Sequence, residues 1–358
     1  MFEGANCASA TRIEHVTCQD ATLCVSCAFR FLLTMTSTTA GPRPSRARII
    51  LAFAAVYIIW GSTYLGIRYA IETLPGFLMA GTRFFIAGAI LFTWAKLKGH
   101  RMGTLAQWRR AFVIGALLLL CGNGGVTWAE KYIASGLAGL LVATEPLWVV
   151  VLNWGATHKR PDAKVLLGVM VGLVGVGLLL GGGGLNNGQP LSTLALAGAG
   201  VVLLAGLAWA GGSVYAARRP IGTSTLMAAG MQMIAGGSLL LLLALVTGDL
   251  QRLNLEAASW VSLGAFVYLL VFGSLVGFTA YSWLLGQVTT SSAATYAYVN
   301  PVVAVFLGWL FANEPLTPRM LIAAAVIVGS VVLITTYGGE HTEPESVHDS
   351  ECPTPPCA

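Results

Sequence analysis

This sequence has little charge. Of its 358 residues, 10% are Asp, Glu, Lys or Arg and 56% are hydrophobic, and the mean hydropathy is +0.75. Soluble domains carry about 25% charged residues, so a largely water-facing surface is excluded. The net charge of +5 comes from side chains in short loops between apolar runs. There is no dense basic stripe, and a nucleic-acid-binding face needs one. None of the five histidines lies in an apolar run, and neither His-Glu-x-x-His nor Gly-x-Ser-x-Gly occurs. A membrane-embedded enzyme is therefore the weak alternative, and no catalytic residue is assigned. The glycines at 181–184 precede no Lys-Ser/Thr, so a phosphate-binding loop is excluded. Cys24 and Cys27 have a metal-knuckle spacing without a second pair, and Cys121 sits in an apolar run. No metal and no cofactor are expected.

What is present is a series of apolar runs near 20 residues, the length that crosses a bilayer as helix. They fall at roughly 49–68, 76–96, 110–129, 134–155, 165–182, 193–216, 224–246, 259–282, 290–311 and 319–337. The third and fourth are parted only by a few residues around Glu130-Lys131. The class is an all-α polytopic membrane protein of ten transmembrane helices. Residues 1–48 read as an extension, disordered or miscalled, with Met35 before TSTTAGPRPSRAR resembling a natural start. Residues 338–358 read as a disordered acidic tail.

Lys and Arg orient the chain. One set of loops collects Arg43, Arg46, Arg48, Lys96, Lys98, Arg101, Arg109, Arg110, Lys159, Arg160, Lys164, Arg218 and Arg219; the other holds Arg68, Lys131, Arg252 and Arg319. Basic short loops stay on the cytoplasmic side. Both termini are expected in the cytoplasm, the protein being multi-pass in a bacterial inner membrane.

The halves resemble each other. WGSTY from Trp60 matches WAGGSVY from Trp209 at a separation of 149, which also pairs Gly88 with Gly237 and Arg83 with Gln232. Further on the separation is 155, pairing Gly122 with Gly277, Trp128 with Trp283, and Glu145-Pro146 with Asn300-Pro301. Five spans per half is odd, so the second half enters from the opposite side. That is an inverted repeat, whose substrate site lies near the midplane between halves. The expected units are 49–182 and 193–337, joined by a turn-rich linker at 183–192.

Trp60-Gly61-Ser62, AGTRFFIAG around Arg83, VATEPLW around Glu145, the glycine-rich fifth span and YVNPVVAVFLGWLFANEPLTP from Tyr298 together resemble EamA-type members of the drug/metabolite transporter superfamily. The resemblance covers roughly residues 48–338. It implies a transporter of small metabolites such as amino acids or drugs. The family often has a Gly-Glu-x-Pro-like turn after the fourth span; Asn313-Glu314-Pro315 keeps it in the second half, and the first half reads His158-Lys159-Arg160-Pro161.

Arg83 and Glu145 are the two ionisable side chains placed well inside spans. Each costs about 2.5–3.5 kcal/mol at a helix centre, so each is expected to face the interior. Arg83 suits a carboxylate; Glu145 suits a cationic group or a proton. Pro146 removes a backbone donor and should open the fourth span, and Pro301 should do the same beside Asn300. Asn123, Trp60, Trp209 and Tyr296 are further candidates for substrate contact. Trp128 and Trp283, near span ends, read as interface-belt residues. Gly168-x-x-x-Gly172 permits close helix packing, internal or in a homodimer. The function expected is secondary transport of a small molecule across the cytoplasmic membrane by alternating access, outward in direction, with import or exchange as the alternative.

Overall fold

The computed structural model describes residues 45–158, 160–180, 192–254, 256–288, 293 and 296–338. The expected extension at 1–48 lies outside these except for residues 45–48, and nearly all of the linker and the acidic tail also lie outside them. In chain order the helices are α1 (Arg46–Ala70), α2 (Gly76–Leu97), α3 (Leu105–Ala129), α4 (Ser135–Gly155), α5 (Ala163–Leu180), α6 (Thr193–Arg218), α7 (Thr225–Val246), α8 (Trp260–Leu284), α9 (Tyr296–Ala312) and α10 (Pro318–Gly338). No strand occurs among the described residues. Seven helices, α1 to α4 and α6 to α8, are long and apolar enough to cross a membrane; α5, α9 and α10 are apolar over 163–175, 299–312 and 318–334. Large apolar side chains such as Ile58, Ile90, Leu167 and Phe306 stay exposed, as a hydrocarbon-facing surface requires. The protein is a multi-pass membrane protein.

Hydrogen bonds between loops define two ends of the bundle. At one end Arg68 Nη1 donates to the Glu130 carbonyl (3.1 Å), the Phe77 amide donates to Asp249 Oδ2 (2.9 Å) and Ser262 Oγ donates to the Tyr69 carbonyl (2.7 Å). At the other, Gln107 Nε2 reaches the Gly222 carbonyl (2.8 Å), Arg110 Nη1 the Pro220 carbonyl (2.7 Å) and Arg218 Nη2 Asn153 Oδ1 (3.1 Å). The second end gathers most of the loop lysines and arginines.

Packing of α2 against α7 depends on glycine. A Cβ on Gly88 would lie 2.7 Å from the Ile234 amide nitrogen, and one on Gly237 would lie 2.6 Å from that of Phe85. These two glycines are the pair related by 149 residues, so each half supplies the notch for the other's backbone. Gly168 and Gly172 of α5 face Ser330 and Ile334 of α10, an internal contact. Two residues 155 apart, His158 and Asn313, both take left-handed backbone, φ 53° and 50°. The turns after α4 and α9 thus share a conformation although their sequences differ.

The fourth span opens where Pro146 predicts. Helix covers Ser135–Val142 and resumes at Glu145–Thr157, with a turn at Ala143-Thr144 between them. Thr144 Oγ1 donates to the Leu141 carbonyl at 2.7 Å, serving one of the carbonyls at the break. The expectation for Pro301 fails: α9 runs helical through it. Trp283 is not a belt residue either. It is 8% exposed and packs with Val56, Tyr281 and Tyr296 inside the bundle.

Candidate functional site

Three stretches of wider π-helix interrupt the spans: Val56–Trp60 in α1, Ala116–Asn123 in α3 and Leu269–Phe278 in α8. Such segments displace side chains from the regular helical faces and recur at functional sites. All three converge on one interior cavity of about 80 Å³, to which they contribute Trp60, Gly122, Asn123, Gly273 and Phe278. The remaining wall includes Tyr64, Arg83, Val142, Trp209, Tyr296 and Asn300. Val142 is the residue whose carbonyl Pro146 cannot serve, so the break in α4 faces this space. Openings in a transmembrane helix are tolerated beside protein or a wet cavity.

The two halves contribute reciprocally. A Cβ on Gly122 would meet the Trp209 ring at 2.9 Å, and one on Gly277 would meet Trp60 Nε1 at 2.5 Å. Gly122 and Gly277 are 155 apart and Trp60 and Trp209 149 apart, so each half seats its tryptophan on the other half's glycine. Trp60 meets Trp209 edge to face (centroids 5.4 Å), Tyr296 edge to face (5.3 Å) and Tyr281 tilted (4.9 Å). Edge-to-face contacts suit the ring quadrupole. Tyr281 is held by Ser213 through a 2.9 Å hydroxyl contact.

The two buried charges are held apart, Arg83 at the cavity wall and Glu145 behind it. Arg83, 1% exposed, donates from Nη2 to Asn123 Oδ1 at 2.6 Å, and its Nε has no partner. Its Cζ lies 4.3 Å over the Phe84 ring. Glu145, also 1% exposed, accepts from the Tyr296 hydroxyl on Oε2, while Oε1 has no partner. Arg83 and Glu145 form no ion pair within 4.0 Å. Glu145 is absent from the cavity wall; Tyr296 stands there, and the carboxylate lies behind its hydroxyl. Asn300 lines the cavity with Oδ1 unpartnered. Six of the seven sequence candidates thus meet at the cavity, and Glu145 reaches it through one of them. Burying an unpartnered polar atom costs about 1–3 kcal/mol, so Arg83 Nε and Asn300 Oδ1 are costly features of this region.

Sequence reasoning missed Tyr64, Tyr281 and Glu130. Glu130 was read as loop beside Lys131, yet it is fully buried. The signal for it was spacing: Asn123, Thr127 and Glu130 fall at i, i+4 and i+7, one face of α3.

The helical bundle crosses the membrane several times and encloses a small, mainly apolar cavity with Arg83, Asn123 and Asn300 in its wall, an arrangement that suits a membrane transporter. The chain belongs to the EamA-like transporter family, whose model matches residues 47–181 and 196–336. It is 38% identical over 289 residues to the uncharacterized inner membrane transporter YedA of Escherichia coli K12, covering 79% of this chain and 89% of that protein. It is 26% identical over 293 residues to the uncharacterized transporter YoaV of Bacillus subtilis, covering 80% and 97%. A solved crystal structure matches with a TM-score of 0.59 at 21% identity, covering 82% of this chain and 99% of its own; that likeness concerns the fold alone.

Proposed function

We propose that this protein is a secondary transporter that exports small organic metabolites bearing a carboxylate, amino acids among them, by alternating access around the cavity. The observation that carries the reading is the cavity wall itself: Arg83 on one side, and the Trp60, Trp209 and Tyr296 rings beside it. An arginine offers paired donors to a carboxylate, and the rings offer faces for an apolar body. Glu145 behind Tyr296 gives a second, negative pole for an amino group. The sequence has no ATP-binding motif, so an ion gradient or the substrate gradient supplies the energy.

The architecture is read as ten spans in two inverted five-helix repeats, 49–182 and 193–337, joined by 183–192. Supporting it are the registers of 149 and 155, the reciprocal Trp-Gly seats and the glycine notches between α2 and α7. The basic end, which holds Gln107, Arg110 and Arg218, is assigned to the cytoplasm.

Mass spectrometry of the medium tests this, with cells expressing wild type, Arg83→Gln or Glu145→Gln at matched membrane levels. A carboxylate-bearing metabolite enriched by wild type and lost in Arg83→Gln is expected. Equal enrichment in all three would remove both residues from the site, and a metabolite without a carboxylate would overturn the substrate class.

A further inference from the structure

One buried charge is not used by the cavity. Glu130 follows α3, is 0% exposed, and neither carboxylate oxygen has a hydrogen-bond partner. The cations around it make no hydrogen bond to its carboxylate. Arg68 of α1 gives Nη1 to the backbone carbonyl of Glu130, and Arg83 of α2 gives Nη2 to Asn123. Lys131 is exposed, with its Nζ 5.7 Å over the Phe77 ring. Tyr64 of α1 and Glu314 of the α9–α10 loop complete the titratable groups facing it.

Glu314 is bound in quite another way. Its Oε1 accepts from the Ser135 amide (2.8 Å) and hydroxyl (2.7 Å), and its Oε2 from the Gly136 amide (2.9 Å). Three donors at the start of α4 suit a charged carboxylate. This clasp ties α4 to the α9–α10 loop at the end of the bundle that holds Glu130. An ionised Glu130 would set a second, donorless negative charge at the same end of the bundle, on a side chain closed to water.

We propose that Glu130 is a proton-binding site whose protonation latches the outer end of the bundle. The proton comes from water and joins one carboxylate oxygen; no other bond changes. When Glu130 loses it, repulsion of Glu314 and the need of a bare carboxylate for donors favour an open, hydrated outer end. Burial first, then the Glu314 charge, push the Glu130 carboxyl well above the ordinary carboxylate range, and Arg68 and Arg83 only partly offset this. The sign follows. The closed form binds the extra proton, so the latch is fully in place at low pH and is lost as pH rises through the raised value.

Infrared spectra and amide hydrogen exchange of the full chain in lipid vesicles test the site without any substrate. Wild type should show a protonated-carboxyl band at neutral pH that is smaller in Glu130→Gln, and Glu314→Gln should move its titration to lower pH. Exchange at amides 135–142, corrected for base catalysis, should rise with pH in wild type and stay flat in Glu130→Gln. If Glu130→Gln does not fold, the wild-type titration and its shift in Glu314→Gln still decide. A band identical in wild type and Glu130→Gln, or a titration unmoved by Glu314→Gln, overturns the proposal. Neither result bears on export of a metabolite, so the latch and the transport reading stand or fall separately.

Discussion

Arg83 spends one nitrogen on Asn123 while its Nε has no partner, and on the proposed function its guanidinium holds the substrate carboxylate. Replacing it with Gln removes a charged hydrogen bond, a loss of roughly 1.5–3 kcal/mol and so about tenfold or more in affinity. The measurement is the concentration dependence of export of the metabolite found in the medium. At Tyr296 the exchange to Phe strips Glu145 of the one donor it has. We expect a loss of about 1–3 kcal/mol, read as a lower unfolding temperature in detergent, while Glu145→Gln, which can still accept from Tyr296, should unfold near the wild-type temperature. Much of this was legible at residue level: a charge in an apolar run must face inward, and Arg83 and Glu145 do. Glu130 was not, because a carboxyl next to a lysine reads as loop until the face it shares with Asn123 and Thr127 is counted. Nor could sequence say that Arg83 lines the cavity while Glu145 lies behind Tyr296, since their separation depends on how α2 and α4 cross.

At the scale of elements, the break in α4 follows from a local cause and was legible. Pro146 has no N–H, and no packing can supply one. Pro146→Ala returns a donor to the Val142 carbonyl and should join the two pieces into one helix. A higher unfolding temperature with slower export is expected; unchanged export would mean that the break only shapes the bundle. Pro301 shows the limit of the same rule, because α9 stays helical through it. The three π segments were illegible: an extra residue per turn leaves no trace in an apolar run such as Ala116–Asn123. The notches between α2 and α7 give a further prediction. Gly237→Val drives a side chain toward the Phe85 amide, 2.6 Å from where its Cβ must sit. Overpacking of this kind costs about 1–3 kcal/mol, measurable as a drop in unfolding temperature relative to a change at the open position Gly264.

For the whole molecule, the assignment of sides rests on where the lysines and arginines gather. Cysteine placed at exposed Arg252 should react with a membrane-impermeant maleimide in intact cells, and cysteine at exposed Lys98 only after lysis. The reverse pattern would invert the molecule and make the proton latch an inner one. Arg83 also faces Glu130. A carboxylate bound at Arg83 would cancel its pull and strengthen the hold of Glu130 on a proton, and by linkage the proton would strengthen binding of the carboxylate. Export of an identified acid should therefore respond to pH in wild type and far less in Glu130→Gln.

The interruption at Ala143-Thr144 has one more consequence. The piece of α4 before it is tied to Glu314 at one end of the bundle, and the piece after it is tied to Arg218 through Asn153 at the other. On the proposed alternating-access reading, the seals at the two faces of the membrane are therefore mechanically separate. A lesion in one changes which face the protein waits on, but leaves the other seal shut, so the membrane stays tight to ions. Only a double lesion, such as Glu314→Ala with Asn153→Ala, should let current pass, and a planar bilayer would show it as conductance that neither single change produces.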